Sequence, residues 1–351
     1  MTNKFSNFLS VSSGVIGDFL MTVNLAENFY LSSGEKIKTT IFASRNAYFL
    51  EELLGDGYPY IKIVPINFKG LISSHIFSLI LSKNLVVLPM LFKGYPFKSL
   101  FFMKLFCLWP GSCLVGFSGV SPYSWYNKFF YTTEIVFDLK REFFDNLLAT
   151  LNIAGLSVSF SIPRLHLRQR VESLAAGDVE GKYIVFHVAA SRPRRTLPVK
   201  RWSSLVNDVL AIDDSISIVF TGSPADSSFV EQIIGGKDSQ RCKNLAGKIN
   251  ASALLRVIDR AILYVGVDTG ITHLAAMLEK EMVVLGHNES PTWLPSYNKK
   301  ALILVDKSEC VCKGDNSVRC TRSYDGREYT KCMLGVSNEK ILASIRQKLS
   351  V

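Results

Sequence analysis

The feature that most constrains this chain is an alternation. Short apolar runs of strand length recur, and helix-length or turn-rich stretches separate them. In the first half these runs are Phe5 to Val11, Thr40 to Ala43, Ile61 to Pro65, Leu85 to Met90, Cys113 to Phe117 and Glu134 to Phe137. Each successive parallel strand needs a crossover connection, and helices cover the sheet, so the pattern predicts an α/β architecture. The first unit is explicit: a strand, then Ser12-Ser13-Gly14-Val15-Ile16-Gly17-Asp18, then a helix carrying Phe19, Leu20, Val23 and Leu25.

The pattern restarts after a break. A helix predicted from about Arg141 to Ala154 is followed by Ile162-Pro163 and the charged stretch Arg164 to Arg170, which marks a passage between domains. Beyond it, strands are expected at Tyr183 to His187, Ser217 to Thr221, Ile262 to Val267 and Met282 to Leu285. Helices are expected near Trp202 to Leu210, Ser227 to Ile234, Ser252 to Arg260 and Ile271 to Leu278. Ser337 caps a last amphipathic helix, to Leu349, with Ile341, Leu342 and Ile345 on one face. The expected domains are residues 1–165, 166–336 and a terminal helix over 337–351. A chain of 351 residues that is 48% hydrophobic has ample material for two cores, and it carries neither an internal repeat nor a low-complexity tract.

Forty Lys and Arg against thirty Asp and Glu leave a net charge of +10, which suits a polyanionic partner without choosing one. The N-terminus lacks the long apolar segment and cleavage site of a secretory signal, so a cytoplasmic location is expected. Pro110, Gly111, Gly116, Gly119 and Pro122 interrupt the uncharged run between Lys104 and Lys128, so no spanning helix is expected there. Seven cysteines in a reducing setting argue against a disulfide scaffold. Cys310, Cys312, Cys320 and Cys332 invite a zinc reading, but they lack paired C-x-x-C spacing, and no metal site is assigned.

The chemistry concentrates in Tyr264-Val265-Gly266-Val267-Asp268-Thr269-Gly270-Ile271-Thr272-His273, an apolar strand ending in a small polar turn that opens a helix. N–H groups at such a helix start favour a phosphate or diphosphate. Asp268 is placed to cap the helix, Gly270 to admit a ligand to the backbone, and His273 to donate to phosphate oxygens. Read alone, Asp268 and Thr269 could equally be plain caps. Basic and aromatic residues interleave from Phe92 to Trp109, including Lys93, Tyr95, Phe97, Lys98, Phe101, Phe102, Lys104 and Phe106. That stretch reads either as a surface for anionic headgroups or as core.

Taken together, Val11 to Thr22, His187 to Trp202, Phe220 to Asp226, Asn244 to Lys248, Gly266 to Ala276, Thr292 to Pro295 and Cys310 to Leu334 resemble the glycosyltransferase family that contains the ADP-heptose:lipopolysaccharide heptosyltransferases. The resemblance implies a GT-B fold of two Rossmann-like domains, with the acceptor bound by the first and the nucleotide sugar by the second. It also implies a C-terminal helix crossing back to the first domain.

By the same resemblance, Gly17-Asp18 matches the family's Gly-Asp, with Asp18 as the base that takes the proton of the attacking acceptor hydroxyl. A helix N-terminus favours the carboxylate anion and so weakens the base, which predicts a late proton transfer. Lys200, ahead of Trp202, matches a basic residue that would neutralise the departing diphosphate, and it could otherwise be a solvated lysine. Ser191 and Arg192, Arg194 and Arg195 around it could touch phosphate or stay solvated. Asp226 stands where the family has Glu, and Val23-Asn24 replaces a region where the family has proline. No D-x-D motif occurs, so the diphosphate is expected to be held by Lys200, Thr269, Gly270 and His273 without a metal, and no cofactor is expected.

The implied activity is inverting transfer of a heptose or related sugar from a nucleotide diphosphate, ADP-heptose in the first instance, to a lipopolysaccharide core acceptor. The enzyme would sit peripherally on the inner membrane surface. No nucleic-acid motif is present. Two other readings remain at this point: a nucleotide-sugar epimerase or hydrolase, and a non-catalytic lipopolysaccharide-binding protein.

Overall fold

The computed structural model describes residues 4–12, 15–43, 47–66, 74–88, 97–118, 127–138, 140–165, 179–192, 194–236, 240–287, 293–308 and 320–350. It divides into two compact units, Met1–Pro163 and Arg164–Val351, so the break falls just ahead of the expected boundary.

The first unit is a parallel sheet of β1 (Asn7–Ser12), β2 (Lys38–Ala43), β3 (Ile61–Pro65), β4 (Asn84–Val87), β5 (Cys113–Ser118) and β6 (Thr133–Val136), in the order β3-β2-β1-β4-β5-β6. Its helices are α1 (Ile16–Ser32), α2 (Ala47–Leu54), α3 (Ser74–Ile80), α4 (Phe97–Leu105), α5 (Asn127–Phe130) and α6 (Phe143–Ala154). Right-handed crossovers set α3, α4 and α5 on one face. Ile76, Leu79, Leu100, Met103 and Phe106 accordingly share a cluster with Leu9, Phe42, Val86 and Leu114 from the strands. The basic and aromatic stretch is therefore divided: Phe106 is fully buried whereas Phe101 and Trp109 are exposed. Phe92, Lys93 and Tyr95 lie outside the described residues, as do the side chains of Phe97 and Lys98.

Two buried amides organise this unit. Asn84 donates through Nδ2 to the carbonyls of Leu79 (2.6 Å) and Phe106 (2.8 Å) and accepts from Asn7, tying the ends of α3 and α4 to the sheet. Asn28 accepts from the N–H groups of Ser159 and Phe160 and donates to the Phe160 carbonyl, which fastens the chain after α6 onto α1. Each satisfies polar groups that would otherwise be costly to bury.

The second unit repeats the scheme with β7 (Lys182–His187), β8 (Ile216–Phe220), β9 (Cys242–Asn244), β10 (Leu263–Val267), β11 (Met282–Leu285) and β12 (Ala301–Leu304), ordered β12-β11-β10-β7-β8-β9. An antiparallel hairpin, β13 (Thr321–Tyr324) and β14 (Arg327–Thr330), follows. Asp325 and Gly326 both have positive φ, 49° and 74°, the conformation of a two-residue hairpin turn for which Asp-Gly is suited. The helices are α7 (Val199–Leu210), α8 (Ser227–Ile234), α9 (Ala251–Arg260), α10 (Gly270–Met277), α11 (Lys331–Leu334) and α12 (Asn338–Leu349).

The terminal helix differs from the expectation that it packs on the first domain. Ile341 and Ile345 of α12 are fully buried in the second unit's core with Trp202, Leu205 and Val283. Arg201 fixes this placement: its guanidinium donates to the carbonyls of Leu334 (2.8 Å) and Val336 and to Oδ1 of Asn338. Three acceptors for one half-buried guanidinium outweigh any preference of an amphipathic helix for another surface. Among the described residues no helix is long and apolar enough to cross a membrane.

Glu27 is a buried acid on α1, 6% exposed, hydrogen-bonded to Tyr60, whose ring stacks on Tyr30 at 3.8 Å. Burial pushes its carboxyl up to about 7 despite that hydrogen bond. The folded state then holds a proton that the unfolded chain releases, so this group's stabilising contribution is full below about 4.5 and is lost as pH rises towards 7. Glu27→Gln should flatten that slope and raise the melting temperature at pH 8 relative to wild type, as scanning calorimetry across pH would show. A variant that keeps the wild-type slope would exclude Glu27 as its source.

Candidate functional site

In both sheets the strand order reverses once, between β1 and β4 and between β10 and β7. At such a reversal the connections leave in opposite directions and open a crevice at the carboxyl ends of the two strands, where open α/β sheets bind ligands. The sequence candidates lie there. Gly17 and Asp18 follow β1. Asp268, Thr269 and Gly270 follow β10, while Ser191 and Lys200 lie on and just after the loop that leaves the neighbouring strand β7.

Thr269, and not Asp268, caps α10. Its side chain accepts from the N–H of Thr272, and its carbonyl accepts from the N–H groups of Thr272 and His273. Gly270 and Ile271 then hold the first two helical positions, whose N–H groups have no intrahelical acceptor. Beneath the cap, the Thr272 hydroxyl reaches the Val267 carbonyl and lies 3.0 Å from the hydroxyl of Tyr264, locking the helix start to the strand.

Asp268 faces inward. Its Oδ2 lies 3.2 Å from Nδ1 of His287, just beyond β11, and both side chains are nearly inaccessible. Burial opposes its charge, but the hydrogen bond and charge of His287, with His273 and Arg195 adding to them, hold the carboxyl below its usual range. The capping role expected of Asp268 is thus replaced by a pairing role. Arg195 brings the arginine loop within electrostatic reach of the turn, whereas Ser191 and Arg192 are exposed on that loop.

His273 also differs from expectation. Nε2 lies 3.1 Å from the Trp293 carbonyl, which can only accept, so Nε2 carries the proton and Nδ1 accepts from the Tyr297 hydroxyl at 3.1 Å. Burial lowers its pKa. With both nitrogens engaged and the ring neutral, His273 braces α10 against the 293–297 segment and does not offer a proton to phosphate. Trp293, within the Thr292 to Pro295 stretch that carries the family resemblance, supplies one half of this brace, and Tyr297 the other. Asp226 is committed too: its Oδ2 accepts from the N–H (2.8 Å) and hydroxyl (2.7 Å) of Ser223, closing a capping box.

Lys200 opens α7 with its side chain 75% exposed, and its Nζ lies 3.1 Å from Oδ2 of Asp325 at the hairpin tip. A solvent-facing pair of this kind is weak, so the ammonium is available to a stronger anion. The hairpin is also joined to the arginine loop, because Thr330 N–H donates to the Arg194 carbonyl at 3.0 Å. Sequence reading placed no strands here and so missed Asp325; the Asp-Gly pair between Tyr324 and Arg327 was the available signal.

In the first unit Asp18 occupies the third position of α1, whose N-cap is Val15, and is the acidic residue of its first turn. It is half-buried, and burial pushes its carboxyl up to about 6. The helix N-terminus was expected to depress this pKa. Desolvation outweighs it, and the group is a stronger base than an ordinary carboxylate.

Among the described residues no three His, Cys, Asp or Glu side chains gather in a way that could hold a metal ion. Cys310 and Cys312 lie outside the described residues, while Cys332 is packed in the second core and Cys320 sits just ahead of β13.

Comparison with known proteins bears on this arrangement. Residues 144–320 match the model of glycosyltransferase family 9 (heptosyltransferase). The chain is 25% identical over 203 residues to lipopolysaccharide heptosyltransferase 2 of Salmonella typhimurium, a match covering 54% of each. It spans about half the length of the curated relatives it matches. Among solved structures it superposes on E. coli ADP-heptose lps heptosyltransferase II with a TM-score of 0.70 and 18% identity, covering 98% of both chains. E. coli heptosyltransferase WaaC with ADP gives 0.68 and 16%, covering 97% of this chain and 99% of that one. The fold is therefore GT-B, with two six-stranded Rossmann-like sheets.

Asp268→Ala would leave His287 buried beside an empty acceptor position, a loss on the order of 3 kcal/mol. The thermal transition of the second unit should fall, and nucleotide affinity with it. An unchanged melting temperature would show that the pair does not hold the turn.

Proposed function

The chain belongs to glycosyltransferase family 9, and from that premise we propose that it transfers a heptose or a closely related sugar from a nucleotide diphosphate donor to a lipopolysaccharide core saccharide, with inversion at the anomeric carbon. The observation that carries the reading is the turn at the reversal point of the second sheet, where a hydroxyl-capped helix start presents the N–H groups of Gly270 and Ile271 beside a strand whose loop leads to Lys200.

The donor diphosphate suits that helix start, because backbone N–H groups fixed by Thr269, Thr272 and the Asp268–His287 pair need no reorganisation as charge builds on the leaving group. Lys200 exchanges Asp325 for the diphosphate and adds a mobile positive charge. His273 acts as a positioning residue that holds α10 in place. Asp18 takes the acceptor hydroxyl proton, and a pKa of about 6 makes it a better match to that task than an exposed aspartate while leaving it mostly ionised at neutral pH. ADP is the first nucleotide to test, since solved heptosyltransferases of this fold carry ADP or an ADP-sugar. A lipid-linked acceptor places the enzyme peripherally at the inner membrane surface, on its cytoplasmic side.

Calorimetric titration of ADP, UDP, GDP and dTDP should show preference for ADP, weakened about tenfold by Lys200→Ala, the loss of one charge-assisted contact. Preference for another nucleotide would keep the transferase and overturn the heptose donor. Binding of none would remove the transferase reading.

Asp18→Asn should lower turnover by about 10²- to 10⁴-fold with donor affinity retained. In the wild type, kcat/KM should fall as pH drops through about 6, because the base is active only when deprotonated. A pH profile flat across that region, or an active Asn variant, would remove Asp18 from the chemistry. Analysis of the sugar product separates transfer from hydrolysis or epimerisation.

A further inference from the structure

From Gly57 to Thr133 the chain contains seven lysines and no aspartate or glutamate. That stretch supplies α3, α4 and α5, the three helices on one face of the first sheet. Their inward residues account for the core, and each helix also turns a large aromatic side chain outward, where solvent-facing helices ordinarily carry polar or charged groups. Phe77 on α3 is 68% exposed, Phe101 on α4 56% and Phe129 on α5 75%. Leu81, after α3, and Leu108 and Trp109, after α4, continue the surface towards the amino ends of the strands.

Basic groups border these side chains. Lys83 lies beside Gly111, in the turn that follows Trp109, and it reaches over the Phe5 ring at 5.9 Å with Lys4 at 5.6 Å. Lys104 donates to the Phe130 carbonyl at 2.9 Å and so joins α4 to α5.

We infer that this helix face is a docking surface for an anionic phospholipid bilayer. Aromatic and leucine side chains would enter the boundary between headgroups and acyl chains while the lysines meet lipid phosphates. The combination selects this occupant. Exposed rings without charge would fit any apolar partner, and lysines without rings any polyanion. A helix layer drawn from an acid-free stretch of chain and carrying both fits a bilayer whose headgroups are negative and whose interior is apolar. Tryptophan and phenylalanine at such a boundary bury apolar area, and each nearby lysine adds attraction that salt screens. For its purpose the inference rests on the lipid-linked acceptor proposed above. Its chemistry stands independently of that reading.

The test is co-sedimentation of the full chain with vesicles of phosphatidylcholine alone and of equimolar phosphatidylcholine and phosphatidylglycerol, with nucleotide titration of the same preparations. Anionic vesicles should bind at least about tenfold more tightly, and raising ionic strength to about 0.5 M should remove most of that difference. The double variant Phe77→Ser/Phe101→Ser, both positions exposed, should lower vesicle affinity about tenfold, and Lys83→Glu should lower it several-fold. Both should leave nucleotide affinity and melting temperature unchanged.

Equal binding to the two vesicle types, or full binding by the serine variant, would overturn the inference. So would a dimer in sedimentation equilibrium that the serine variant abolishes, since the face would then cover a second copy of the chain. Failure of the transferase reading would show separately, as loss of nucleotide binding with vesicle binding intact.

Discussion

The single reversal of strand order in each sheet governs the rest of this structure. Right-handed crossovers force the connections on either side of the reversal to opposite faces, so the carboxyl ends of two adjacent strands are left uncovered. β1 ends there with Gly17 and Asp18 close behind it, and β10 ends there with Asp268, Thr269 and Gly270. The same rule collects α3, α4 and α5 into one layer and so concentrates an acid-free stretch of sequence onto one face. The positions of the helix-opening turn after β10 and of the basic, aromatic surface both follow from topology before any side chain is considered.

Within the second unit, the side chains expected to touch substrate are largely spent on holding the backbone that would. Asp268 pairs with His287, Thr269 caps α10, Thr272 closes the helix start on the strand, and His273 is pinned between Trp293 and Tyr297. Buried polar groups left half-satisfied would be costly, and here Thr269, Thr272 and His273 each have hydrogen-bond partners while Asp268 has the His287 ring beside it. The consequence is a rigid pair of N–H groups at Gly270 and Ile271, with exposed Lys200 as the adaptable element. A site of this design depends on oriented dipoles more than on side-chain contacts, which suits stabilisation of a departing diphosphate.

The sequence carried the periodic elements well and the edges poorly. Strands β1, β7 and β10 were legible because each is a largely buried, largely apolar run with a helix as the next element, and β11 because all four of its residues are apolar and buried. β9, at Cys242–Asn244, is three residues long, and β12, at Ala301–Leu304, lies after an irregular segment; neither carries enough periodicity to stand out. The exposed hairpin escaped because Thr-Arg-Ser-Tyr and Arg-Glu-Tyr-Thr lack an apolar face, leaving the Asp325-Gly326 turn as its main signal. At the site, residue identity was legible and residue role was not. Which carboxylate caps and which pairs depends on His287, nineteen positions beyond Asp268 and visible only once β11 lies beside β10. Likewise the destination of α12 depended on Arg201, one position from the lysine that drew attention.

The two acids of α1 are both raised by burial but differ in their surroundings. Both Asp18 and Glu27 are pushed up by burial, to about 6 and about 7. Glu27 has a partner in Tyr60 and lies within the aromatic cluster of Tyr30 and Tyr58, so its proton is part of the packing. At Asp18, in the first turn of α1, burial is the sole resolved cause of the shift. An unrelieved desolvation of this kind is a cost to folding at neutral pH that packing alone would remove by placing a serine or an apolar residue there. That cost, incurred just after the carboxyl end of β1 where the topology leaves a crevice open, fits the role proposed for Asp18, to receive the proton of an acceptor hydroxyl.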